Sequence, residues 1–208
     1  MSPARTRLPA AERRADVLGC ACRVFSRGSY RGTTTAEIAR AAGVTEPILY
    51  RHFESKRGLY LACLDATWDD LRALWEEALA AEEDPAEWLR AIARAFFESE
   101  RNRPVISNLW VQALAEASED QEIRRYMRRH MREVHRFVTG VIERGQREGG
   151  FRQDVDARAE AWLFLSLGLL KMISRRLGGL VEDDFPAIVA SRRRWLTGRD
   201  DVAREPLA

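Results

Sequence analysis

Between residues 32 and 60 the chain gathers side chains suited to holding an anion rather than to breaking a bond. Hydroxyls stand at Thr34, Thr35 and Thr45, a phenol at Tyr50, an imidazole at His52 and an ammonium at Lys56. Hydroxyls and unsatisfied backbone N–H groups at a helix start can meet a phosphate oxygen. Thr45, Glu46 and Pro47 fall at the mouth of a short helix, where side chains reach base edges. Tyr50 either contacts a phosphate or packs a small domain, and one ring can do both. His52 offers a donor, or a solvated side chain; Lys56 offers a charge, or surface decoration.

Bond-making constellations are missing. The sequence has no HExxH, no paired ExxH, no P-loop, no GxSxG and no dinucleotide fingerprint. His52-Phe53-Glu54 carries the HxE of zinc deaminases without the PCxxC half. His130 and His135 lack partners at ligand spacing, and Cys20, Cys22 and Cys63 form no CxxC pair, so these read as ordinary side chains. Neither catalysis, nor a metal, nor a cofactor is expected.

The elements that must position the polar set are short helices. Ala10 to Arg27 repeats apolar residues at helical spacing, with Val17, Leu18, Ala21, Val24 and Phe25 on one face. Thr34-Thr35-Ala36-Glu37 has capping-box form and predicts a helix to about Ala42. Gly43 supplies a tight turn, and Thr45 caps a third helix with Pro47 in its first turn. Two short helices meeting at Gly43-Val44, packed through Ile38, Ala39, Ala42, Val44 and Leu49, have helix-turn-helix spacing. The second helix of such a unit enters the major groove.

The run Thr-x-x-Glu-Ile-Ala-x-x-Ala-Gly-Val-x-x-x-x-Leu-Tyr-x-His-Phe-x-Ser-Lys, from Thr34 to Lys56, resembles the DNA-binding signature of TetR-family regulators. The detailed resemblance covers roughly residues 10–60; beyond that only helix count and order match. It implies an all-α homodimer with two recognition helices about one DNA turn apart and a ligand cavity in the C-terminal domain. Carried over by position, Thr35, Thr45, Pro47, Tyr50, His52 and Lys56 are the expected DNA contacts, with Thr34 and Glu46 beside them. Ile48 stands where some members place a polar base-reading residue, and either touches a thymine methyl or packs.

Charge agrees with an anionic partner at this end. Residues 1–60 hold eleven Lys/Arg against five Asp/Glu, while the remainder holds 23 against 27. The longest apolar run, Ala161 to Ile173, is too short to span a bilayer, and no signal-peptide pattern opens the chain. A cytoplasmic protein without membrane contact is expected.

The rest of the chain also reads as helices. Ser55 caps a long one to about Ala81, and Asp84-Pro85-Ala86-Glu87 opens another with a glutamate reaching back to its cap. Further helices are expected near Arg103-Pro104 to Ala117, from Ser118-Glu119-Asp120-Gln121 to about Glu148, from Asp156 to Leu177, and from Phe185 to Leu196, with a frayed tail. About nine helices result, in an N-terminal helix-turn-helix domain (1–54) and a C-terminal effector-binding and dimerisation domain (55–208).

Within the second domain, Trp68, Phe97, Asn108, Trp110, Gln112, Met131 and Trp162 are candidate ligand contacts, the aromatics being alternatively plain core. Asn108 and Gln112 are the polar pair of interest, or an exposed polar edge. Ala161 to Ile173 is apolar nearly all round and needs cover on every side. Leu165, Gly168 and Leu169, with Phe185, Ile188, Val189 and Trp195, therefore suggest a four-helix interface between two subunits, or full burial within one. Arg124, Arg125, Arg128, Arg129, Arg132 and Arg136 oppose an apolar stripe and read as a solvated face. The expected function is a repressor that a small molecule releases from a palindromic operator in double-stranded DNA. The alternative keeps the DNA-binding fold and makes the C-terminal domain a protein-interaction or assembly module without an effector.

Overall fold

The computed structural model describes residues 9–101 and 104–199. Among the described residues the chain forms nine α-helices and no strand. They are α1 (Ala10–Arg27), α2 (Thr35–Ala41), α3 (Glu46–His52), α4 (Lys56–Ala81), α5 (Trp88–Ser99), α6 (Val105–Glu116), α7 (Gln121–Arg147), α8 (Ala157–Arg176) and α9 (Phe185–Thr197). The all-α reading holds. Arg103, near which α6 was expected to open, and residues 200–208 of the expected tail lie outside the described residues.

Most helix starts follow from local capping. Ser55 Oγ accepts from Gly58 N at 2.9 Å. Asp156 accepts from the N–H groups of Arg158 and Ala159, at 2.8 and 2.9 Å. Asp120 does the same for Glu122 and Ile123, so the cap of α7 is Asp120. One start differs. Asp84 caps only a 3-10 turn, Pro85–Glu87, before α5 begins. Glu87 does not reach back to its cap but is buried against Arg193 of α9, with Oε1 2.9 Å from Nε. A long-range ion pair has outcompeted the local hydrogen bond.

Packing divides the described chain into two compact units. One comprises the chain up to Asp70 together with Glu100–Met127; the other comprises Leu71–Ser99 together with the chain from Arg128. The expected boundary at residue 54 is one of roles. By packing, the first half of α4, all of α6 and the start of α7 fold with the three N-terminal helices.

The core of the first unit is built from Val17, Ala21 and Phe25 of α1, Ile38 and Ala39 of α2, Leu49 of α3, Leu59, Tyr60 and Cys63 of α4, and Leu109, Ala113, Ile123 and Met127. The Tyr60 ring meets Phe25 edge-on at 5.0 Å, and its hydroxyl donates to Leu109 O at 3.0 Å. Burial pushes that phenol well above its ordinary range. Cys22 and Cys63 are buried and Cys20 half-buried, all three as free thiols.

In the second unit the α7–α8 turn fits closely against the 3-10 turn. Gly149 takes a left-handed φ of 76°, and a Cβ on Gly150 would come within 2.5 Å of the Pro85 backbone. Gly149-Gly150 thus does more than stop a helix; the second glycine admits a neighbouring backbone. Three arginines at the end of the chain hold this unit together: Arg192 pairs with Glu160, Arg193 with Glu87 and Arg199 with Asp84. Phe185 lies buried within the unit, with Lys171 Nζ 4.7 Å from its ring centre, so it adds nothing to an outward face.

Candidate nucleic-acid interface

The turn between α2 and α3 is closed by backbone hydrogen bonds around a left-handed glycine. Ala42 N donates to Ile38 O at 2.9 Å, Gly43 N to Arg40 O at 3.1 Å, and Val44 N to Ala39 O at 2.9 Å. Gly43 sits at φ 64°, a left-handed conformation that side chains with a Cβ seldom adopt. Thr34 begins α2 with both halves of a capping box: Glu37 N donates to Thr34 Oγ1 at 3.2 Å, and Thr34 N to Glu37 Oε2 at 2.9 Å. That backbone bond holds the Glu37 carboxyl below its ordinary range. Thr45 is the N-cap of α3 by backbone, yet its side chain makes no capping bond.

Burial sorts α3 into two faces. Leu49 is completely buried and Phe53 nearly so, whereas Thr45, Pro47 and Arg51 are exposed and Tyr50 keeps 47% of its surface. Glu46, Ile48 and His52 are half-buried. Of the polar edge expected from Thr45 to His52, Thr45, Pro47 and Tyr50 are open to solvent and Glu46 and His52 partly so.

Two helices share this edge through a hydroxyl. Thr35 Oγ1 on α2 lies 2.5 Å from Glu46 Oε1 and 3.2 Å from the Tyr50 hydroxyl, both on α3. Lys56 is less available than its sequence suggested. Its ammonium donates to Arg31 O at 3.2 Å and stands 4.7 Å from the centre of the Tyr30 ring. Burial lowers its pKa, against the pull of Glu116 and Glu37.

The basic N-terminal quarter is partly neutralised inside its own unit. Arg31 pairs with Glu116 at 3.0 Å and with Glu119, and Arg57 pairs with Asp120 at 3.0 Å and Glu122 at 2.5 Å. Arg40 on α2 and Arg51 on α3 are exposed cations that the sequence reasoning passed over. Their signal was position: both stand within the Thr34–Lys56 run.

The candidate ligand contacts are not brought together. Asn108 and Gln112 face the end of α1: Asn108 Nδ2 donates to Ser26 O at 3.2 Å, and Gln112 Nε2 to Phe25 O at 2.9 Å and Gly28 O at 2.7 Å. They close orphan carbonyls at a helix C-terminus, a role that sequence spacing could not reveal. Trp68 is buried and Trp110 half-buried in that same unit. Phe97, Met131 and Trp162 belong to the second unit. Phe97 packs edge-on to Phe96 at 5.1 Å, and Met131 is half-buried. Trp162 is 45% exposed and stacks on His135 at 4.2 Å.

Of the expected interface residues, Leu165, Gly168, Leu169, Ile188 and Val189 are half-buried and Trp195 is 51% exposed. A Cβ on Gly168 would meet nothing within 4 Å. Among the described residues no group of three or more His, Cys, Asp or Glu side chains could hold a metal ion, and no helix is long and apolar enough to cross a membrane.

Comparison with known proteins bears on both units. Residues 17–63 match the model of bacterial regulatory proteins of the tetR family, and residues 85–168 match that of the C-terminal domain of BetI-type transcriptional repressors. The transcriptional activator FasR of Mycolicibacterium smegmatis is 44% identical over 92 residues, 44% of this chain and 42% of FasR. The transcriptional repressor KstR2 of Rhodococcus jostii is 28% identical over 144 residues, 69% of this chain and 70% of KstR2. The chain thus spans less than half of FasR in that match. In fold, the structure is similar to the transcriptional regulator FadR of Bacillus subtilis in complex with stearoyl-CoA, with TM-score 0.72 at 16% identity, covering 89% of this chain and 98% of that one.

Proposed function

Because the chain belongs to the TetR family of bacterial transcriptional regulators, we propose that it is a ligand-responsive repressor, binding a palindromic operator as a homodimer and leaving it when a small molecule binds. The observation that carries the DNA half of this reading is the outward side of α3, where Thr45, Pro47, Tyr50 and Arg51 are exposed and Glu46 and His52 half-buried while Leu49 is fully buried. An exposed edge of hydroxyl, carboxylate and imidazole groups on a short helix suits the major groove. Thr34, Thr35 and Lys56, with the exposed Arg40 and Arg51, would hold the flanking phosphates.

Dimerisation would use α8 and α9. Leu163, Ile173, Leu177, Leu180 and Trp195 are large apolar side chains left between 44% and 65% exposed. Such a surface suits a second copy of the chain better than water, and Gly168 would allow close approach.

The effector would be a molecule with a large apolar part, taken up by residues such as Phe97, Met131 and Trp162. FadR, which shares the fold, binds stearoyl-CoA, and long-chain acyl thioesters are therefore the first compounds to try. Trp68, Trp110 and the amides of Asn108 and Gln112 would carry the signal, since Asn108 and Gln112 tie α6 to the end of α1. A division of roles at residue 54, with operator contact before it and response after it, rests on this reading. The stretch similar to FasR favours activation as a second reading, because that relative is an activator.

Genome-wide mapping of bound DNA, followed by titration of stearoyl-CoA onto a recovered fragment, tests the proposal. Release of the protein, with higher transcription when the gene is deleted, is expected for a repressor; lower transcription on deletion would support the activator reading. Recovery of no preferred fragment would overturn both.

A further inference from the structure

The hydroxyl shared between α2 and α3 has a proton count that decides what it can do. Thr35 has a single hydroxyl proton, and a carboxylate only accepts. At 2.5 Å from Glu46 Oε1, that proton is committed to the carboxylate. The 3.2 Å contact with Tyr50 must then run the other way, with the Tyr50 hydroxyl donating to Thr35 Oγ1. Both protons therefore point inward.

A DNA phosphate is also only an acceptor. Arriving at this edge it would meet a negative carboxylate, a Thr35 hydroxyl with no proton to give and a Tyr50 hydroxyl turned toward Thr35. Phosphate contact through Thr35 requires Glu46 to leave, whereas Tyr50 would have to give up only its 3.2 Å bond to Thr35. Glu46 will leave at low cost only if another donor takes its oxygens. Among major-groove edges the cytosine N4 amino group suits a carboxylate; the adenine amino group has the N7 lone pair beside it, which repels one.

Resting on the operator-binding reading, we infer that Glu46 is a specificity gate: it withholds the Thr35 hydroxyl from phosphate until a cytosine amino group in the groove draws its carboxylate away. Base recognition and backbone contact are thereby coupled through one side chain. Non-specific duplex, lacking the cytosine at that position, faces an occupied hydroxyl and a repelling charge.

The test is selection from a randomised duplex library with the full-length protein and its Glu46→Gln and Glu46→Ala variants. The unmodified chain should enrich a C·G pair at one position of each half-site. Glu46→Gln should move that preference to A·T, because a carboxamide pairs with adenine. Glu46→Ala should lose the preference, about 5- to 150-fold by the usual worth of a base contact of 1–3 kcal/mol, and should bind random duplex several-fold more tightly. In a Thr35→Val background the gain on random duplex should shrink to the share that comes from losing the carboxylate charge, since the hydroxyl that Glu46 withholds is gone. An unchanged base preference across the three proteins, or no gain for Glu46→Ala on random duplex, overturns the gate. Failure of the unmodified chain to enrich any sequence would instead sink the operator-binding reading beneath it.

Discussion

The two units leave opposite kinds of surface to their surroundings. The first, built around α1 to α3, exposes Tyr50, Thr45, Arg40 and Arg51, and of its large apolar side chains only Leu114 and Tyr50 are strongly exposed among the described residues. The second exposes Trp162, Leu163, Ile173, Leu177, Leu180 and Trp195. Their internal supports differ as well. Packed rings and capping bonds organise the first, whereas buried or half-buried ion pairs at Glu87 and Glu160 pin α9 in the second. The contrast teaches that large apolar side chains are left open mainly on the second unit, whereas the first encloses nearly all of its own. A single helical chain can carry both kinds of surface because each unit buries its own core.

The largest effect should come from the first core. Phe25→Ala removes a fully buried ring that packs on Tyr60, and should cost about 3–5 kcal/mol of unfolding free energy. Chemical denaturation will register this, with loss of the helix signal of the first unit before the second. In the second unit the matching change is Glu87→Ala, which removes the Glu87–Arg193 ion pair. Breaking a buried pair costs about 3–5 kcal/mol, less here because the Arg193 side chain is 22% exposed, so about 2–3 kcal/mol is expected. High salt should shrink the Glu87 effect and leave the Phe25 effect almost unchanged, which sharpens the contrast between ionic and apolar support.

Smaller effects should follow from single contacts. Gln112→Ala deletes two bonds to the end of α1 and should cost about 1–2 kcal/mol, seen as a lower thermal midpoint. Ile173→Glu, at an exposed position, should alter monomer stability by less than about 0.5 kcal/mol yet shift the sedimentation of the protein toward monomer. If the dimer persists, the apolar face of α8 has another use. The smallest effect concerns pH. The folded pKa of Glu37 lies below the unfolded one, so its contribution is intact above the unfolded value, ordinarily about 4.3. It fades as pH falls through the lower folded value, and faster hydrogen exchange at the start of α2 should report it.

Local chemistry made much of this legible in advance. Capping at Thr34, Ser55 and Asp156, and the left-handed Gly43, are decided within four residues, and each stands where the sequence placed it. The outward edge of α3 was legible for the same reason, since helical spacing alone sets Leu49 against Tyr50. Partners far apart in the chain were not. Glu87 looked like a capping residue until Arg193, 106 positions away, claimed it. Gln112 looked like a ligand contact until the carbonyl of Gly28 took its amide. Lys56 was expected to offer its charge to DNA, and its engagement with the Tyr30 ring and the Arg31 carbonyl could not be read from spacing. Side chains with several possible partners are read by the fold, and spacing cannot choose among them.

Everything functional depends on the α3 edge meeting a duplex. Hydroxyl-radical footprinting of a recovered genomic fragment measures that directly. Two protected patches with centres about 10–10.5 base pairs apart, or a multiple of that, are predicted for paired recognition helices, and they should fade together in the Tyr50→Phe variant. Uniform cleavage at low salt, or a footprint indifferent to Tyr50, would contradict the account.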